Sequence, residues 1–110
     1  MPEAGRLIEQ AIDRGDQLLS VTPVRTEILR GLLRGELAAT AELLVGLDWL
    51  DVDAVLADRA AELGHPCARS HPGIAVVDLL LAAATERLGA RLLTRNVRDF
   101  PMIPGLEPAY

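Results

Sequence analysis

The run from Ile74 to Ala84 reads Ile-Ala-Val-Val-Asp-Leu-Leu-Leu-Ala-Ala-Ala, apolar except at Asp78. A helix this uniform has to be covered on several sides, and its carboxylate needs a partner, because burying a lone carboxylate costs several kcal/mol. The run is too short to cross a bilayer. It is therefore the inner helix of a globular fold.

What can cover that helix follows from the other residues. Aromatic side chains are confined to Trp49, Phe100 and Tyr110, so Leu, Val, Ile and Ala must build the core. That composition suits helices packed on a sheet and excludes an aromatic platform for stacking nucleic-acid bases. With 110 residues, the chain has room for one domain, 1–110.

The pattern along the chain alternates helix and strand. Leu7, Ile8, Ala11 and Ile12 fall on one helical stripe that Gly15 should stop. Gln17 to Val21 reads as a strand, and Thr22-Pro23 as an N-cap with proline at the first helical position. On the helix that follows, Val24, Ile28, Leu29, Leu32 and Leu33 form the stripe expected to be buried. Glu27, Arg30 and Arg34 lie opposite, with Gly35 as a stop or bend.

Leu37 to Val45 continues helically, Leu47 to Val52 holds a strand with Trp49, and Asp53 to Leu63 makes an amphipathic helix after acidic capping residues. His65 to Gly73, with Pro66 and Pro72, reads as a loop. Val77 to Leu88 is the inner helix, and Ala90 to Thr94 a strand before a polar turn and a proline-bounded tail. The alternation predicts an α/β fold, a mainly parallel sheet with helices on both faces.

Charge narrows the chemistry. Eleven basic residues, all Arg, stand against sixteen acidic ones, for a net −5. Such a chain does not hold nucleic acid by bulk charge, and a polyanionic substrate would need help from metal ions. Cys67 is the sole cysteine, so no intrachain disulfide forms, and the first residues lack the pattern of a secretory signal. The expected compartment is the cytoplasm.

Three acids are candidates for a site, each with a plainer reading beside it. Asp78 is either a helix N-cap or first-turn carboxylate favoured by the helix dipole, or a metal ligand. Asp99, just beyond a predicted strand, is either a loop Asp paired with an Arg or a residue of the crevice where parallel sheets bind ligands. Glu27 with Arg30 makes an ordinary i,i+3 ion pair, unless Glu27 points into the same crevice. Asn96 would brace a neighbouring carboxylate or serve as a turn residue. Arg95, Arg98, Arg25 and Arg30 are available to steer a phosphate backbone.

Other chemistries have less support. His65, Cys67 and His71 offer three zinc ligands at most, with no second cluster to complete a tetrahedron. Cys67, Ser20 and Ser70 stand in no nucleophile motif, and neither a Walker A sequence nor a dinucleotide-binding glycine pattern occurs.

Three segments in order, Thr22-Pro-Val-Arg-Thr-Glu-Ile-Leu-Arg-Gly31, Val77-Asp-Leu-Leu-Leu-Ala-Ala-Ala84, and Leu93-Thr-Arg-Asn-Val-Arg-Asp-Phe100 with Ile103-Pro-Gly-Leu106, resemble the PIN-domain ribonucleases of the VapC toxin type. The last segment is the most specific. The resemblance implies a PIN-like parallel sheet flanked by helices, with acidic residues at its carboxyl edge holding Mg²⁺ or Mn²⁺ for RNA phosphodiester hydrolysis. Glu27, Asp78 and Asp99 take the second, third and fourth acidic positions, with Asn96 as a polar neighbour and Arg95 and Arg98 toward RNA.

Such a protein pairs with an antitoxin and forms a homodimer, away from any membrane. The family opens with a central strand ending in an Asp, and this sequence begins after it. The expectation is therefore an N-terminally truncated PIN-like domain without that strand and first acid. Two functions stand open: a metal-dependent endoribonuclease toxin, and a non-catalytic PIN-like module that binds protein. A plain structural α/β domain is the third.

Overall fold

The computed structural model describes residue 10 and residues 13–31, 37–93 and 97–106, the side chains of 37–40 and 43 apart. The elements are β1 (Leu19–Val21), α1 (Thr22–Arg30), α2 (Leu37–Gly46), β2 (Asp48–Leu50), α3 (Ala54–Gly64) and α4 (Val76–Leu88). Short 3₁₀ turns occupy His65–Cys67 and Val97–Asp99. The chain divides into two compact units, Met1–Asp51 and Val52–Tyr110.

In the first unit β1 and β2 pair in parallel, Leu19 beside Asp48, Ser20 beside Trp49 and Val21 beside Leu50. Parallel neighbours need a long crossover, and the segment carrying α1 and α2 supplies it. Val21 has no exposed surface and anchors the pair. The ladder is extended by the Asp48 N–H, which donates to the Leu18 carbonyl at 2.8 Å. Beside it the Gln17 side chain donates to the Asp48 carboxylate at 2.7 Å. The Trp49 indole N–H donates to the Leu44 carbonyl at 3.1 Å, filling an acceptor that the end of α2 leaves open.

The second unit is built on α3 and α4. Asp53 caps α3, its carboxylate accepting the Leu56 N–H at 2.7 Å. Leu56 and Ala60, four apart and so on one face, are both buried. On α4 the buried residues are Leu80, Ala82, Ala83 and Ala84. Small side chains let the helices approach closely: a Cβ added at Gly64 would lie 2.7 Å from Leu79 Cδ1. Gly89 then ends α4 in the left-handed region at φ 59°, where a glycine carries no Cβ penalty.

Two arginines tie the pair together at its rim. Arg59 of α3 meets both oxygens of Glu86 on α4, each at 2.6 Å, and also reaches Glu62 at 2.9 Å. Arg87 of α4 returns to the Asp53 carboxylate at 3.2 and 3.3 Å. The Arg59 guanidinium holds the Glu86 carboxyl below its usual range. The Leu56 N–H first, and Arg87 second, do the same for Asp53. Arg59 is in turn held protonated more firmly than an isolated guanidinium by Glu86 and Glu62.

Several expectations need correction. Thr22 does not cap α1: it is the first helical residue, Val21 is the cap, and no side chain bonds there. No residue of α1 is buried and Leu29 is 43% exposed, so its stripe is only partly covered. Residues 90–93 form no strand; after Gly89 turns the chain they run irregularly, outside the β1–β2 ladder. The loop expected over 65–73 contains a 3₁₀ turn, set by Pro66 near its start. The expected stripe Leu7, Ile8, Ala11 and Ile12, and likewise Leu32, Leu33, Arg34 and Gly35, lie outside the described residues. Among the described residues no helix is long and apolar enough to cross a membrane.

Leu56→Ala should lower unfolding stability by about 2–5 kcal/mol, read as a lower urea midpoint at unchanged slope. Acid should act through the two clamped carboxylates. Asp53 and Glu86 bind protons less readily folded than unfolded, so their stabilisation is complete above the ordinary carboxylate range. It is lost as pH falls below about 4 and through the depressed folded values. Thermal midpoints should therefore fall with acidification, and fall less steeply in the Asp53→Asn, Glu86→Gln double variant. Parallel acid profiles for the two proteins would show that the clamps contribute nothing.

Candidate functional site

Each candidate acid is placed by its own stretch of local structure. Asp78 is the third residue of α4, in the first turn, where the positive end of the helix dipole favours a carboxylate. Ala75 is the cap and offers no side-chain bond, so the end is closed by main chain, the Asp78 N–H donating to the Ala75 carbonyl at 3.0 Å. The residue is half-buried. This bears out the first-turn position.

Asp99 ends the 3₁₀ turn Val97–Asp99 and is half-buried. Its neighbour Phe100 is buried and pins the turn, its N–H donating to the Val97 carbonyl at 3.0 Å. Arg98 beside it is exposed. Arg95 and Asn96 lie outside the described residues.

Glu27 stands in the first unit, exposed on α1. The ion pair expected with Arg30 is not made: among the described residues no cation lies within 4 Å of the Glu27 carboxylate. Arg30 instead falls in the last turn of α1, where the helix dipole favours a cation. Asp78 and Asp99 belong to the second unit, and within neither unit do three described His, Cys, Asp or Glu side chains gather as a metal-binding group. His65, Cys67 and His71 share that outcome. His71 Nδ1 pairs with Ser70 Oγ at 2.8 Å, and Cys67 Sγ lies 4.0 Å from the Leu63 carbonyl.

One contact was not legible in the sequence. The Arg25 guanidinium lies over the Trp49 ring, 5.3 Å from its centroid, joining α1 to β2. Arg25 and Trp49 are far apart in the chain. Only the parallel register, which sets Trp49 beside Ser20 just ahead of α1, brings them near.

Comparison with known proteins fits this arrangement. Residues 2–105 match the PIN domain family model. The chain is 38% identical over 109 residues to Ribonuclease VapC19 of Mycobacterium tuberculosis, covering 99% of this chain and 87% of that protein. It is 32% identical over 98 residues to Ribonuclease VapC10 of the same organism, covering 88% of this chain and 74% of that one. A chain matched so broadly by the family model and by these relatives belongs to the PIN domain family, of the VapC type.

Proposed function

We propose that the chain is a metal-dependent endoribonuclease, the toxin of a toxin–antitoxin pair, which hydrolyses RNA phosphodiester bonds. The observation that carries this reading is the 38% identity, across 99% of the chain, to a protein named as a ribonuclease. Glu27, Asp78 and Asp99 are the residues assigned to the cation, with Asn96 as a polar brace and Arg95 and Arg98 toward the RNA. Their donor set fits: carboxylate oxygens are what hard divalent cations such as Mg²⁺ or Mn²⁺ select. A cation held there would activate water and neutralise charge gathering on the phosphate.

The chain's own groups then have separate tasks. Asp78 and Asp99 are each half-buried. The dipole of α4 opposes the mutual repulsion that gathered carboxylates would feel. Exposed Arg98 offers a guanidinium to a phosphate oxygen. We further propose a single PIN-like domain over 1–110, acting in the cytoplasm as a homodimer that an antitoxin covers.

The second reading is a non-catalytic PIN-like module that binds protein. Cleavage of single-stranded RNA decides between them. With Mg²⁺ or Mn²⁺ the purified chain should cut, and chelator should stop it. Asp78→Asn, Asp99→Asn and Glu27→Gln should each lower kcat/KM by on the order of 10²-fold. Turnover indifferent to chelator and to all three substitutions would overturn the metal assignment. A tight protein complex with no turnover at all would favour the binding module.

A further inference from the structure

We propose that Arg25, held on the face of Trp49, is a preordered contact for an RNA phosphate outside the bond being cut, an inference that rests on the ribonuclease reading above. Three of the eight described arginines are answered by carboxylate, and of the other five Arg30, Arg69, Arg91 and Arg98 are exposed. Arg14 pairs with Asp16, Arg59 with Glu62 and Glu86, and Arg87 with Asp53. Arg25 differs from these. It is half-buried, and among the described residues no carboxylate comes within ion-pair distance of it. Its contact is the indole ring, 5.3 Å away.

The ring is itself fixed. Trp49 lies in β2, registered beside Ser20, and its N–H is engaged by the Leu44 carbonyl at 3.1 Å. A guanidinium over a ring engages its flat face, and its N–H donors lie along the edge. The side chain is therefore ordered before an anion arrives, which removes much of the entropy a flexible surface arginine loses on binding. A planar cation with a fixed face and available edge donors suits a phosphate, which takes two N–H groups side by side.

Position on α1 sets Arg25 apart from Glu27. Arg25 and Glu27 are two residues apart, about 200° around the helix, and so do not face each other. Arg25 contacts the strand away from the carboxylate and acts in substrate binding; it is not a catalytic residue.

The test uses the full chain carrying Asp78→Asn, to prevent cutting, and a labelled single-stranded RNA whose binding is followed by anisotropy over a NaCl series. Arg25→Met keeps a stem against the ring and removes the charge. It should weaken binding by about fivefold to tenfold and reduce the salt slope by about 0.7, the value for one phosphate contact on a single strand. Arg25→Lys should restore the slope. In the cutting protein, Arg25→Met should raise KM and leave kcat in place. Dicarbonyl modification of unsubstituted Arg25, read by mass spectrometry, should be blocked by RNA, an outcome that does not depend on any variant folding.

A lowered thermal midpoint with unchanged affinity and salt slope, or modification of Arg25 unaffected by RNA, would overturn the proposal and leave Arg25 as a staple between α1 and β2. Should the parent chain neither bind nor cut RNA, the ribonuclease reading fails first and takes this one with it.

Discussion

Leu56 has no exposed surface, and its burial between α3 and α4 is the contact on which the second unit depends. Burying such a side chain contributes roughly 1.5–3 kcal/mol. The surface ion pairs around it act on another scale. Arg59 and Glu86 are 42% and 51% exposed, and pairs so open to water stabilise little. Their use is geometric. Two arginines, one from each helix, link α3 and its cap to α4.

Asp53 shows how one carboxylate can serve two ends. One oxygen accepts both the Leu56 N–H and an Arg87 donor, so capping α3 and clamping α4 are the same event. Gly64 sits at the far end of α3, where Leu79 occupies the space a Cβ would need. The helix pair is thus held by a charged cap at one end and by close approach at the other. In the first unit a different device operates: an indole ring, tied to the end of α2, receives the arginine of α1.

Local chemistry made much of this legible. Asp53 with a following amphipathic stretch marks the start of α3, and Gly89 after Leu88 marks the end of α4, because capping and left-handed backbone depend on the residue itself. The β1 and β2 segments are legible from their apolar character and their flanks. Other features were hidden. Thr22 carries a good capping side chain, yet the ladder runs through Val21 and the helix starts one residue earlier than capping preference suggests. Residues 90–93 have strand composition without a strand, since a strand exists only where a neighbour supplies its ladder bonds.

The candidate site divides in the same way. Asp78 stands out in the sequence because an acid interrupts an apolar helix, and Asp99 because it closes a specific run of residues. The order of three acids and the motifs around them point to family and chemistry without any coordinates, since helical period, capping and ligand preference are properties of residues and their near neighbours. What only the tertiary structure decided is which charges answer which: that Arg59 turns to Glu86, Arg87 to Asp53, and Arg25 to a tryptophan. Those choices depend on strand register and helix approach, which bring together side chains distant along the chain, and no local pattern encodes that distance.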